Sequence, residues 1–270
     1  MAPHRLVLHT WTLDTTPLAD VLGVARRVGW DAVELRRLDF ARAAEAGRPA
    51  EAVLDLVRAS GLPVACVGVE YGWMYAEGSE RRRLLEAFAE SCRWAAALGS
   101  PRVMSPVDRG AGDLRRAAAS VREAGDLAAA HGVVLALEFN SQAEQFNTLD
   151  RLRELLALAG HRDCRLLLDT YHLHRSGGGP SSVAGLTAEE IGYVQYSDVR
   201  ASAAEPGKTA DRLPPGHGDV PFREIFARLA ALGYAGDLSY EAPNPAAWSR
   251  DPEAVAREAL DATRACLPEA

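Results

Sequence analysis

Four oxygen-bearing side chains stand at the ends of four apolar runs: Glu138 in LALEFN, Asp169 in LLLDT, Gln195 in YVQYSD and Glu241 in LSYEAP. Short apolar runs of this kind read as strands buried on both faces, and the carboxyl end of such a strand is where barrel enzymes keep their chemistry. Three carboxylates brought together cannot all stay ionised, because each raises the pKa of the others; a divalent cation removes the conflict. Donors that are all oxygen favour a hard ion, Mg2+ or Mn2+, over a thiolate zinc site. Each residue taken alone also has a plain structural role open to it. Asp169 can cap the turn that follows it, Glu138 and Glu241 can be ion-paired barrel residues, and Gln195 can be a satisfied buried amide. Their joint placement at four successive strand ends is what favours the ion.

The elements that must position them form a repeated unit. Strand-like runs at 6–9, 32–35, 64–69, 102–104, 133–138, 165–168, 191–196 and 237–241 alternate with helical periods at 18–28, 50–59, 80–98, 114–130, 149–158, within 183–190, and at 222–232 and 252–266. Repeated β-α units imply parallel strands joined by right-handed crossovers, and eight of them in this length imply a (β/α)8 TIM barrel, one α/β domain over 1–270. A doubly wound open sheet would carry a glycine-rich fingerprint after its first strand, where LVLHTWTLD stands instead. Long polar or aromatic loops follow the third, sixth and seventh strands, on the face where binding and lids are expected.

A formal net charge of −7 argues against a nucleic-acid partner or an anionic membrane surface. No apolar run reaches the roughly 20 residues that span a bilayer, and the first residues lack the h-region of a secretory signal, so a cytoplasmic location is expected. The four cysteines have no paired metal spacing and read as small buried or near-surface thiols.

From Glu138 onward the residues carry a resemblance. The order Glu, Asp, a ligand on strand seven, Glu, together with LDTYH, GHGDVPF and GYAGDLSYEAPNP, resembles the xylose isomerase-like TIM barrels of the sugar phosphate isomerase/epimerase type. The resemblance implies that Glu138, Asp169, Gln195 and Glu241 hold one divalent metal and that Glu138 and Glu241 are also the acid/base pair. Gln195 stands where many members have histidine, and hydroxypyruvate isomerase-like members are similar in having glutamine there. The implied reaction is isomerisation or epimerisation of a small sugar, sugar phosphate or hydroxy-keto acid through a metal-stabilised ene-diolate. Loss of a β-hydroxyl from the same intermediate would make the enzyme a dehydratase of the inosose or dehydroshikimate type, and a barrel that binds a carbohydrate without turnover is a third reading. A multi-zinc endonuclease of this fold would need more histidine and a basic surface. Barrels of this kind often pair, so a homo-oligomer is open.

Around the metal, His172 is expected to donate to a substrate oxygen, as the family's histidine after the Asp-Thr turn does. Arg200 is the candidate for a substrate carboxylate or phosphate, because its planar fork can pair with either. His9 and Glu34, at the ends of the first two strands, are candidate substrate contacts, Glu34 having an ion pair with Arg36 or Arg37 as its structural alternative. His217 in PPGHGDV could order the strand-seven loop about the substrate. Trp11, Trp73 and Tyr75 could wall the pocket against the apolar face of a sugar.

Overall fold

The computed structural model describes residues 4–200 and 210–268. Eight strands, β1 (Leu6–His9), β2 (Ala32–Leu35), β3 (Val64–Gly68), β4 (Arg102–Pro106), β5 (Val134–Glu138), β6 (Cys164–Asp169), β7 (Ile191–Tyr196) and β8 (Leu238–Tyr240), pair in parallel in chain order and close with β8 on β1. Helices lie between the strands, as the expected TIM barrel requires. Several start on a side-chain cap: Asp113, Thr148 and Asp251 each accept a backbone N–H three residues on. The helix Leu18–Val28 stops at Gly29, whose φ of 94° is the left-handed conformation a side chain would strain.

Among the described residues three α-helices, Arg37–Glu45, Thr170–Arg175 and the short Pro245–Trp248, fall where the sequence patterns predict none. Arg37–Glu45 buries only Asp39, Phe40 and Ala43, so it has little apolar period to read; its start is held by Asp39, whose carboxylate accepts the Arg36 N–H at 2.8 Å. Thr170–Arg175 follows β6 directly, in a stretch that reads as loop, because Asp169 caps it by accepting the Tyr171 N–H at 2.7 Å. The weak helix expected within 183–190 lies earlier, at Pro180–Ala184.

The period of two sorts the strand side chains. Val7, Ala32, Ala65, Cys66, Met104, Ala136, Leu167 and Tyr193 form a small apolar cluster of their own, separate from the larger one between strands and helices. His9, Glu34, Glu138, Asp169 and Gln195 each stand two residues beyond a member of that cluster, so alternation turns them to the same interior, nearer the carboxyl end. Below this layer, at the amino ends of the strands, Asp237 accepts from Arg5 at 2.7 and 2.9 Å and from Arg102 at 2.5 Å, and Arg102 lies 4.8 Å over the Tyr193 ring. This end closes the barrel and carries stability, not chemistry.

Burial raises the Asp237 carboxyl, but its hydrogen bonds to Arg5 and Arg102 outweigh that and hold it below its ordinary value. A depressed carboxyl contributes stability that is present above about pH 4 and is lost as pH falls through the native value. Asp237→Asn should therefore cost roughly 2 kcal/mol at neutral pH, discounted from a fully buried pair because Arg5 is half exposed. Denaturant midpoints across pH 2–7 should show the gap between parent and variant closing toward the acid end; a constant gap would contradict the assignment.

Candidate active site

The carboxyl end of the barrel opens into a cavity of about 300 Å³, small for a ligand pocket, lined among others by His9, Trp11, Asn140, Glu138, His172, Arg212 and Glu241. A larger recess near residues 14–19 and 42–56 lies outside this acidic cluster. The acids are deeply buried: Glu138 is 5% exposed, Asp169 0% and Glu241 7%. One atom each of Glu138, Asp169 and His172 lie within 4.8 Å of one another.

The positive charge that balances them comes from Arg212, 3% exposed. Its Nη1 donates to Glu241 Oε2 at 2.6 Å and to Asp169 Oδ2 at 3.0 Å, and its guanidinium lies 4.2 Å over the Tyr171 ring. Burial pushes Glu138 well above the usual carboxylate range, with Asp169 and Glu241 adding to the shift. Asp169 is raised by burial, which Arg212 opposes only in part. Glu241 goes the other way: burial raises it, but Arg212 and then His9 prevail and leave it lowered.

Arg212 is held from both sides of its loop. The preceding Asp211 accepts from Tyr171 Oη at 3.1 Å and from Arg175 Nη2 at 2.5 Å. The following Leu213 exchanges backbone hydrogen bonds of 2.8 Å with Asp198, and the Arg212 carbonyl accepts from Asn244 Nδ2 at 3.0 Å. Asp198 pins the return of the loop: its carboxylate accepts the N–H groups of Val199, Gly216, Gly218 and Val220 at 2.8–3.0 Å. A Cβ at Gly218 would meet Asp198 Oδ1 at 2.4 Å and the Val199 carbonyl at 2.5 Å, which accounts for the glycine of GHGDV.

The two histidines are both neutral donors by geometry. His9 Nδ1 accepts the Trp11 N–H at 3.0 Å, so its proton sits on Nε2, 3.4 Å from Glu241 Oε1 and 3.6 Å from Glu34 Oε1. Burial lowers His9 to about 4. His172 Nδ1 accepts the Ser141 N–H at 3.2 Å, which places its proton on Nε2, 3.9 Å from Asp169 Oδ2 and 4.0 Å from Glu138 Oε1. Burial, then Arg212, lower it well below its ordinary value. In that tautomer His172 offers a hydrogen and not a lone pair to the cavity.

The residues fit a cation. Glu138 Oε1 and Gln195 Oε1 are buried oxygens with no hydrogen-bond partner among the described residues. Such groups are costly unless satisfied, and oxygens of this type are ligands of a divalent ion. Glu138, Asp169 and Glu241 are the carboxylates that would hold it, with Gln195 supplying its amide oxygen.

Several sequence expectations lie elsewhere. Arg200 is exposed and does not line the cavity, whereas Arg212, on the far side of the same loop, does. Glu34 is buried away from the cavity, and neither Arg36 nor Arg37 pairs with it: these bind Asp14 and Asp39, and Glu90 and Glu70. Trp73 is fully buried, donating Nε1 to Ser105 Oγ at 3.0 Å and packing edge-on against Phe88. Tyr75 donates to Gln145 at 2.5 Å, and His217 lines a separate, smaller recess beside Arg250. Trp11, His9 and His172 do line the cavity, joined by Arg36, Arg37, Tyr71, Arg109 and Asn140, which sequence reasoning did not single out.

A family model described as xylose isomerase-like TIM barrel matches residues 22–266. This chain belongs to that family. An inosose isomerase of Halalkalibacterium halodurans is 26% identical over 153 residues, which cover 56% of this chain and 54% of the relative. The chain thus spans about half the length of that curated relative. An L-ribulose 3-epimerase of Mesorhizobium japonicum is 26% identical over 253 residues, 88% of this chain and 80% of the relative. The crystal structure of IOLI protein with a bound zinc atom superposes with a TM-score of 0.86 over 97% of this chain and 98% of that one, at 18% identity, a likeness of fold.

Removing Arg212 leaves buried carboxylates without a counter-charge. In chelator-treated protein at pH 8, Arg212→Met should lower stability by about 3 kcal/mol. The acids raised in the fold penalise it increasingly as pH climbs from their unfolded-state pKa values to their native ones, so the deficit should shrink toward pH 5. An excess of Mn2+ at pH 8 should shrink it as well. Equal urea midpoints for parent and variant at pH 8 would contradict the role given to this arginine.

Proposed function

We propose that this barrel is a divalent-metal-dependent isomerase or epimerase of a small sugar, sugar phosphate or hydroxy-keto acid, with Glu138 and Glu241 as its proton-transfer groups. One observation carries the reading: three buried carboxylates converge at the barrel mouth, and one of their oxygens, Glu138 Oε1, has no donor among the described residues. A divalent ion held there would act as a Lewis acid, polarising a substrate carbonyl and acidifying the C–H beside it. That the relatives include an inosose isomerase and an L-ribulose 3-epimerase supports the same class of reaction.

The chain's own groups then divide the work. Glu138 and Glu241 both line the cavity, so one removes the proton from a bound ligand and one returns it; return at the neighbouring carbon isomerises, and return at the same carbon from the other face epimerises. His172 offers its Nε2–H to a substrate oxygen. The Nε–H of Arg212, buried and without an acceptor among the described residues while Nη1 is engaged by Glu241 and Asp169, is a second donor for an oxygen that gains charge. Trp11 lines the same cavity and limits the room for water.

Deuterium uptake from D2O into a panel of ketoses and hydroxy-keto acids, followed by mass spectrometry, tests the reading. Exchange at the carbon next to the carbonyl is expected with Mn2+ or Mg2+ and should fall roughly 10²–10⁴-fold in Glu138→Gln and in Glu241→Gln, with the fold intact. Unchanged exchange in both variants removes them from the mechanism, and loss of water from the ligand in place of exchange would make the enzyme a lyase.

A further inference from the structure

Glu34 is fully buried, away from the cavity, yet its carboxylate is surrounded by donors. Its Oε2 accepts from Tyr193 Oη at 3.0 Å and from Ser239 Oγ at 2.6 Å, which keeps the group from turning. Its Oε1 accepts from Gln195 Nε2 at 2.8 Å. His9 Nε2 is 3.6 Å from that same oxygen, beyond a hydrogen bond, so Gln195 is its partner.

An amide has two unlike ends, and in isolation nothing decides which faces which neighbour. Glu34 Oε2 is taken by two hydroxyl donors, and its Oε1 accepts from the NH2 end of the amide, which fixes that end. With Nε2 committed to Glu34, Gln195 Oε1 is turned away from it, and no donor among the described residues reaches this buried oxygen. Gln195 pairs directly with Asp169 across the sheet, on the strand next to the acids.

We propose that Glu34 is a positioning residue for the cation site: by accepting from Gln195 Nε2, its carboxylate fixes the amide so that the oxygen, and not the NH2 group, is the end offered to the metal. The inference rests on the proposed metal site and assigns a role to a residue that touches neither metal nor substrate. It requires Glu rather than Gln at 34, since a glutamine there can donate to Gln195 Oε1 and turn the amide over, presenting a hydrogen to the ion.

Calorimetric titration of chelator-treated protein with Mn2+ tests this, with thermal melts to check the fold. Glu34→Gln should weaken Mn2+ binding by roughly 10–100-fold, the size expected for loss of a group that orients a ligand. Added to Gln195→Ala, the same substitution should change Mn2+ affinity no further, because its effect passes through the amide; a merely structural role would repeat its full cost on that background. Should Glu34→Gln fail to fold, Tyr193→Phe combined with Ser239→Ala frees Oε2 and should weaken Mn2+ binding in the parent but not beside Gln195→Ala. Parent-like binding by Glu34→Gln, or additive losses in the double variant, overturns the proposal. Parent-like binding by Gln195→Ala overturns it too while leaving the three carboxylates as the site, and absence of Mn2+ binding by the parent removes both.

Discussion

Carboxylates that leave water must find positive charge or protons, and at the mouth of this barrel three of them are within a few per cent of complete burial. Much of the surrounding structure answers that requirement. Arg212 supplies a fixed cation to Asp169 and Glu241, and the Asp211, Tyr171, Arg175 and Asn244 contacts hold its loop so that it stays there. Glu138 is served least: no donor among the described residues reaches its Oε1, and burial with its acidic neighbours pushes its pKa well above the usual range. A served Glu241 beside an unserved Glu138 is the arrangement that one more positive charge would relieve.

The barrel turns that requirement into geometry. Alternation along parallel strands sends every second side chain inward, so a polar residue two positions beyond an apolar interior residue is carried to the mouth without local strain. Small residues, Ala32, Ala65 and Ala136, leave space in the interior that Tyr193, Met104 and Leu167 fill. Tyr193 does double duty, its ring beneath the Arg102 guanidinium and its hydroxyl on Glu34, and so links the stabilising end of the barrel to the layer under the site. A loop after β7 that is pinned by Asp198 on four backbone N–H groups brings a cation back over the acids.

The barrel and the acidic residues were legible because both are written in local pattern: apolar runs of strand length, each ending in Glu, Asp or Gln. Asp169 illustrates why the two readings of one residue need not compete, since one oxygen caps the helix that follows and the other faces Arg212. What pattern could not show was which arm of a long loop returns to the site. Arg200 is exposed, whereas Arg212 sits next to the Pro-Pro-Gly turn, a signal available only once Asp198 is known to bind that turn. Trp73 failed as a pocket wall for a similar reason: a hydroxyl partner at Ser105 and an aromatic edge at Phe88 drew it inward, and neither is adjacent in sequence.

Anomalous scattering from crystals grown with Mn2+ would show whether this acidic cluster is a cation site. One strong peak is expected about 2.2 Å from oxygens of Glu138, Asp169 and Glu241, with Arg212 displaced from at least one of its two carboxylate contacts. No peak there, with Arg212 still bridging Asp169 and Glu241, would contradict it.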